Sequence, residues 1–224
     1  MTSATYDPDC TRCPRLATFL EQTRARYPDY WAHPVPSFGD PAARILIVGL
    51  APGMHGANRT GRPFTGDHAG ILLYETLAAA GLASAPVSLS AEDGLTLSGA
   101  RIANAVKCVP PQNKPLPEEI RTCNAYLASE LRELPQVRVY LALGRVAHDA
   151  VLLAHQLSRA RHAFGHGREH TLNVRQVLLD SFHCSRYNTQ TRRLTTPMFR
   201  AVVARACELA GLAVPRALRL VGMP

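Results

Sequence analysis

Lysine is almost missing from this chain: of 25 basic residues only Lys107 and Lys114 are lysines, and the other 23 are arginines. The glycine-rich segment that begins at Gly49 accordingly lacks the Gly-Lys-Ser/Thr of a Walker-type phosphate loop, and it does not match Gly-x-Gly-x-x-Gly either. Also absent is any apolar run near the roughly 20 residues that span a bilayer, so no membrane partner is expected. The opening residues, MTSATYDPDCTRCP, have neither a basic stretch followed by an apolar one nor an Arg/Ser-rich amphipathic pattern, which makes the cytoplasm the expected compartment. Without an export signal, the six cysteines point away from a disulfide framework and toward metal binding or burial.

What is present fits one globular domain over residues 1–224, and a monomer is expected. The net charge of +8 suits a polyanionic partner, because Lys and Arg that neutralise phosphates release condensed counterions. An Arg- and Ala-rich composition also arises from a GC-rich genome, so charge alone does not establish a nucleic-acid partner.

Hydrophobic patterning gives the organisation. Residues 11–27 read as a short helix behind the first cysteine pair, and 28–43 as an irregular Pro-rich connection. Residues 44–50 form a continuous aliphatic run, the mark of a strand buried on both faces. Helical periodicity follows over 69–81, with Gly81 placed to terminate the helix. Further strands are read at Arg101–Lys107, Val137–Leu143 and Arg175–Ser181, with helices at Pro117–Leu134, 145–158 and 196–212. Strands alternating with helices predict a three-layer α/β/α sandwich around a mainly parallel, four-stranded sheet. Ligands bind such sheets beyond the carboxyl ends of the strands. Three polar segments sit there: GLAPGMHGANRTGRPFTGD after the first strand, NAVKCVPPQNKPLP after the second, and HCSRYNTQTRR after the fourth. By itself the first reads either as a loop whose backbone N–H groups cradle an anion or as an ordinary strand-to-helix connection.

These three segments, in this order, closely resemble the signatures of the family 5 (type B) uracil-DNA glycosylases. The resemblance runs from Cys10 to about Thr195. It implies excision of uracil, and of other deaminated bases such as hypoxanthine, from DNA as a step of base excision repair, leaving an abasic site. It also implies a structural [4Fe-4S] cluster held by Cys10, Cys13, Cys108 and Cys123. Zinc is the alternative for four cysteines, but its sites usually show two tight pairs, and here only Cys10 and Cys13 are close in sequence.

The resemblance assigns roles that the chemistry requires. Gly49, Ala51, Pro52 and Gly53 would border the base, Phe64 would stack on it, and Asn104 would bond its edge or position water. His183 would donate to the negative charge developing on uracil O2. The family has proline after this histidine; here Cys184 takes that place and is read as a small packed residue. Asp67 would orient the water and stabilise an oxocarbenium-like sugar; its other reading is the N-cap of the helix that follows. Arg186, Tyr187 and Asn188 match the loop that fills the gap left by an extruded nucleotide, with Arg192 and Arg193 as phosphate contacts. His162, His166 and His170 are spaced by four, but Gly165 and Gly167 oppose a helix, so they read as a loop near the site and not as metal ligands. Cys207 reads as buried, and RALRL at the end as a solvated tail or helix end. Two rival functions remain: a catalytically silent module that binds damaged DNA, and an iron–sulfur electron carrier.

Overall fold

The computed structural model describes residues 6–219. The chain runs α1 (Pro14–Arg26), β1 (Phe38–Gly39), β2 (Ile45–Gly49), α2 (Ala57–Thr60), α3 (His68–Ala79), β3 (Ala100–Asn104), α4 (Pro117–Glu133) and β4 (Val139–Leu143). It continues through α5 (Arg145–Ala154), β5 (Glu169–Asn173), β6 (Gln176–Ser181), α6 (Arg186–Gln190), α7 (Thr196–Leu209) and α8 (Arg216–Arg219). The sheet order is β1-β3-β2-β4-β6-β5. The four expected strands are its parallel centre, β3-β2-β4-β6, and the two edge strands pair antiparallel.

The sheet therefore has six strands where four are expected. The connection 28–43 contains β1, and the histidine-rich segment read as a loop ends in β5. Neither announces itself by an apolar run: β1 is two half-buried residues, and Glu169, Thr171 and Asn173 of β5 are exposed. The strand expected to reach Lys107 ends at Asn104, although Ala105 and Val106 still donate to the carbonyls of Gly49 and Leu50 at 2.9 and 3.0 Å. At the end of α3, Gly81 takes φ +72° and lets Leu82 N–H close on the Leu77 carbonyl at 2.8 Å. The expected solvated end at RALRL forms the short α8 up to Arg219, and Leu220 lies outside the described residues, as do residues 1–5.

Strand alternation sorts side chains between two layers. Ile45, Ile47 and Ile102 face a core closed by Leu73 and Leu77 of α3 and by Phe199 and Val203 of α7. Leu46, Val48 and Ala103 face the opposite core, closed by Leu127 of α4 and by Ala147 and Val151 of α5. Both faces of the central strands are thus dry, which is why their sequences are continuously apolar. A third cluster, Leu16, Leu20, Val106, Val109 and Tyr126, packs α1 against the start of the loop after β3. Arg15 reinforces that join, with its guanidinium on the Glu119 carboxylate at 2.7 and 2.8 Å.

Candidate active site

A cavity of about 430 Å³ opens where the parallel strands end. Leu50 and Ala51 follow β2, Asn104 ends β3, Leu143 and Gly144 stand at the end of β4, and His183 comes from the segment after β6. Gly53, Phe64 and Asp67 complete the wall from the glycine-rich loop. The three polar segments picked from the sequence therefore meet at one place.

The floor is built by close approach. Asn104 is 4% exposed, and its side-chain oxygen is buried without a hydrogen-bond partner. A Cβ on Gly49 would stand 2.5 Å from that oxygen and 2.8 Å from the Phe64 ring, so only glycine lets the two side chains reach the cavity. Gly49 and Pro52 are both buried, and neither lines the cavity. Phe64 holds φ +57°, a left-handed backbone costly for a bulky residue. Its neighbours keep it there: Tyr74 Oη donates to the Pro63 carbonyl at 2.8 Å, and buried Arg62 donates to Thr65 Oγ1 at 2.9 Å and to Asp93 at 2.5 Å. Burial works against ionisation of Asp93, yet the Arg62 bond and main-chain N–H groups hold its carboxyl well below the usual range.

Asp67 occupies the N-cap position of α3, but its side chain makes no capping bond. It turns toward α2 instead, where it accepts from Ala57 N–H at 3.2 Å and from Gly53 N–H. Gly53 and Gly56 supply the room, since a Cβ on either would collide with the carboxylate. Burial pushes the Asp67 pKa up, against those N–H groups and the nearby charge of Arg59. An acceptor held at an energetic cost beside a cavity, when it could have capped its own helix, has the character of a functional carboxylate.

His183 is half-buried, and its ring lies near that of Phe64 at a centroid distance of 5.9 Å and 27°. Burial lowers its pKa to about 4, so at neutral pH it is an uncharged imidazole. Its carbonyl accepts from Asn188 Nδ2 at 2.8 Å. Cys184 is fully buried, and the Asn188 bond braces the loop where proline is lacking.

The remaining expected residues divide. Arg186 and Tyr187 stand exposed in the first turn of α6, capped by Ser185; Asn188 instead bends back to the His183 carbonyl. Arg192 is exposed, and the Arg193 guanidinium sits 4.6 Å from the Phe182 ring centroid. Sequence reasoning misses Asn113, Arg145 and Val146, which also line the cavity. A signal existed for Arg145, since Gly144-Arg145 directly follows a buried strand, where ligands gather.

Cys10, Cys13, Cys108 and Cys123 meet around one small pocket beside α1, and none forms a disulfide. Lys107 N–H donates to Cys123 Sγ at 3.3 Å. Burial, with neighbouring sulfurs second, pushes the Cys13 thiol up to about 11. Cys207 is buried as expected. His162, His166 and His170 do not converge on one point: among the described residues, the ligand-like group with donor atoms within 4.8 Å of one another is His148, His170 and Asp180. None of the three expected histidines lines the cavity.

Comparison with known proteins gives a consistent result. The family model described as the Uracil DNA glycosylase superfamily matches residues 36–207. A Type-5 uracil-DNA glycosylase of Thermus thermophilus is 52% identical over 208 residues, covering 91% of this chain and 94% of that protein. The Type-5 uracil-DNA glycosylase of Mycobacterium bovis is 42% identical over 211 residues, 91% of this chain and 79% of its own. A Type-4 uracil-DNA glycosylase of Archaeoglobus fulgidus is 35% identical over 139 residues, 62% of this chain and 56% of its own.

Proposed function

We propose a reaction from one premise: this chain belongs to the uracil-DNA glycosylase superfamily. It is a monofunctional enzyme of base excision repair that hydrolyses the N-glycosidic bond of deoxyuridine in DNA. The observation that carries the reading is the unpartnered Asn104 oxygen at the floor of the cavity. A buried acceptor without a donor is costly and calls for a ligand that supplies one. Uracil presents an imide N–H between two carbonyls and satisfies it; cytosine presents a bare ring nitrogen there and would set lone pair against lone pair. Hypoxanthine and xanthine offer an N–H beside a carbonyl as uracil does, so deaminated bases as a class fit the same oxygen.

The chemistry follows from the walls. The nucleotide leaves the stack, and the Phe64 face receives the base. As the C1′–N1 bond breaks, its electron pair goes to the base, and neutral His183 donates a hydrogen bond to the oxygen that gains charge. The Asp67 carboxylate holds water against C1′ and opposes the positive charge of the sugar. Water oxygen bonds C1′, and its proton balances the departing base. No lysine lines the cavity, and Lys107 is buried, with Nζ bonded to Ser37 Oγ at 3.1 Å and 3.6 Å from Glu130. Among the described residues, then, no lysine stands in the cavity wall to form a Schiff base, which accords with hydrolysis alone. Arg186, Tyr187, Arg192 and Arg193 supply side chains for the DNA face, and residues 1–224 act as one domain.

The cysteine pocket fits a [4Fe-4S] cluster. Its four sulfurs share one small recess, and of the four only Cys10 and Cys13 are close in sequence. Four-cysteine zinc sites usually show two tight pairs, and Cys108 and Cys123 bracket a long segment instead. Cys10, Cys13, Cys108 and Cys123 would hold the cluster, which would tie the N-terminal segment to the loop after β3 and to α4 and stiffen that loop.

The test is incubation of the purified protein with an end-labelled duplex carrying one U·G mismatch, followed by alkaline cleavage. Strand scission confined to the uracil position is expected. DNA binding without scission would replace the enzyme with a damage-sensing module.

A further inference from the structure

Segment 162–168 contributes nothing to the cavity wall, yet it is bonded to the strand end that carries His183. Gly165 N–H donates to Asp180 Oδ2 at 3.1 Å, and Gly167 N–H to the Asp180 carbonyl at 2.8 Å. The Asp180 carboxylate is itself locked, by His148 Nδ1 at 2.7 Å and His170 Nε2 at 3.0 Å. His148 Nε2 in turn donates to the His162 carbonyl at 2.8 Å. His166 thus stands between two glycines that are both pinned to Asp180, on a base that lies outside the cavity wall.

From that base His166 reaches the residue before His183. Its Nδ1 accepts the main-chain N–H of Phe182 at 3.1 Å, and its ring lies on the Phe182 ring at 5.0 Å and 14°. Past a strand end, a backbone N–H has lost its ladder partner, and a fixed side-chain acceptor sets the direction in which the chain leaves. Because Nδ1 accepts, the ring is neutral with its proton on Nε2, and burial, which lowers its pKa, favours that state. On the far side of His183, Asn188 holds the carbonyl. The backbone that aims His183 is therefore gripped both before and after it.

We propose that His166 is a positioning residue for His183, holding the Phe182 peptide so that the His183 imidazole faces the cavity. The inference rests on the reading of His183 as donor to the departing base. It adds a role for the histidine-rich segment that the reaction itself leaves unused.

Two substitutions separate position from mere packing. His166→Phe keeps the flat ring on Phe182 and removes the acceptor; His166→Asn places an amide oxygen where Nδ1 stood. The readouts are single-turnover uracil excision, DNA affinity and hydrogen exchange at the Phe182 amide. For His166→Phe, a tenfold to hundredfold slower excision is expected, on the order of what a misplacement of about 1 Å costs. Its DNA affinity should stay unchanged and its Phe182 amide should exchange fast, whereas His166→Asn recovers both rate and protection. Excision by His166→Phe at the wild-type rate, or a His166→Asn variant as slow as it, would overturn the proposal. If the wild-type protein itself excised no uracil, the functional reading would fail instead, and the Phe182 exchange would still decide whether His166 holds that peptide.

Discussion

Replacing Asp67 by Asn separates catalysis from capping in one variant. Asparagine caps a helix about as well as aspartate. If Asp67 served α3 alone, the variant would excise uracil and melt like the native protein. The observed side chain points elsewhere, onto Ala57 and Gly53 N–H groups beside the cavity, and burial has raised its pKa. Positioning water and countering sugar charge are together expected to be worth about 10²–10⁴-fold in single-turnover rate, or about 2.7–5.4 kcal/mol of barrier. Stability should move the other way. A carboxyl with a folded pKa above its unfolded value takes up a proton on folding between the two, so stability falls as pH rises through that window. Above its unfolded value the native fold carries this cost increasingly as pH rises, and Asn never carries it. Asp67→Asn should therefore be at least as stable as the native chain at pH 7, with the difference closing as pH falls below both values. Rates on a U·G duplex, DNA affinity by anisotropy, and denaturation at a series of pH values measure the three quantities. Normal turnover, or a clear loss of stability at neutral pH, would refute the argument.

Three further outcomes are expected. His183 titrates near 4 when folded against 6.5 when unfolded, so the unfolded chain binds the extra proton, and stability should drop as pH falls from 6.5 toward 4. His183→Gln should lack that drop, which is at most about 3 kcal/mol, in denaturation followed against pH. Gly49→Ala forces a methyl against Asn104 and Phe64; overpacking of about 1–3 kcal/mol should lower the melting temperature by several degrees. Excision by that variant should fall far more than its melting point suggests, and a fully active variant would show that the floor can yield. Cys108→Ala, purified anaerobically, should lose iron and sulfide together, whereas zinc in the native protein at one ion per chain would displace the cluster from this account.

The parts legible in the sequence are those where one physical cause acts alone. Ile45–Gly49 and Val139–Leu143 are dry on both faces and read as strands at sight. Gly81 marks the end of α3 because a left-handed residue is needed there. Phe64, Asp67, Asn104 and His183 are singled out because the three polar segments that carry them resemble the signatures of a known family, and all four line the cavity. The edge strands escape because half their residues face water, and α2, with four residues, is too short for periodicity to register. Asn113 reaches the cavity through a left-handed backbone at both Gln112 and Asn113, which nothing local in Pro-Pro-Gln-Asn-Lys demands. Asn188 is expected on the DNA face because it matches the insertion loop of the family; the folded loop turns its amide onto the His183 carbonyl.

The two edge strands have a bearing on how copies of this chain behave side by side. A long, flat, apolar edge would invite a second sheet to add on and would lead toward aggregates. Here one border is only two residues long, and the other carries exposed Glu169, Thr171 and Asn173 with its register broken between Thr171 and Asn173. Irregularity and polar side chains at those borders discourage sheet-to-sheet growth. Neither border therefore offers a second copy of the chain a template for stacking.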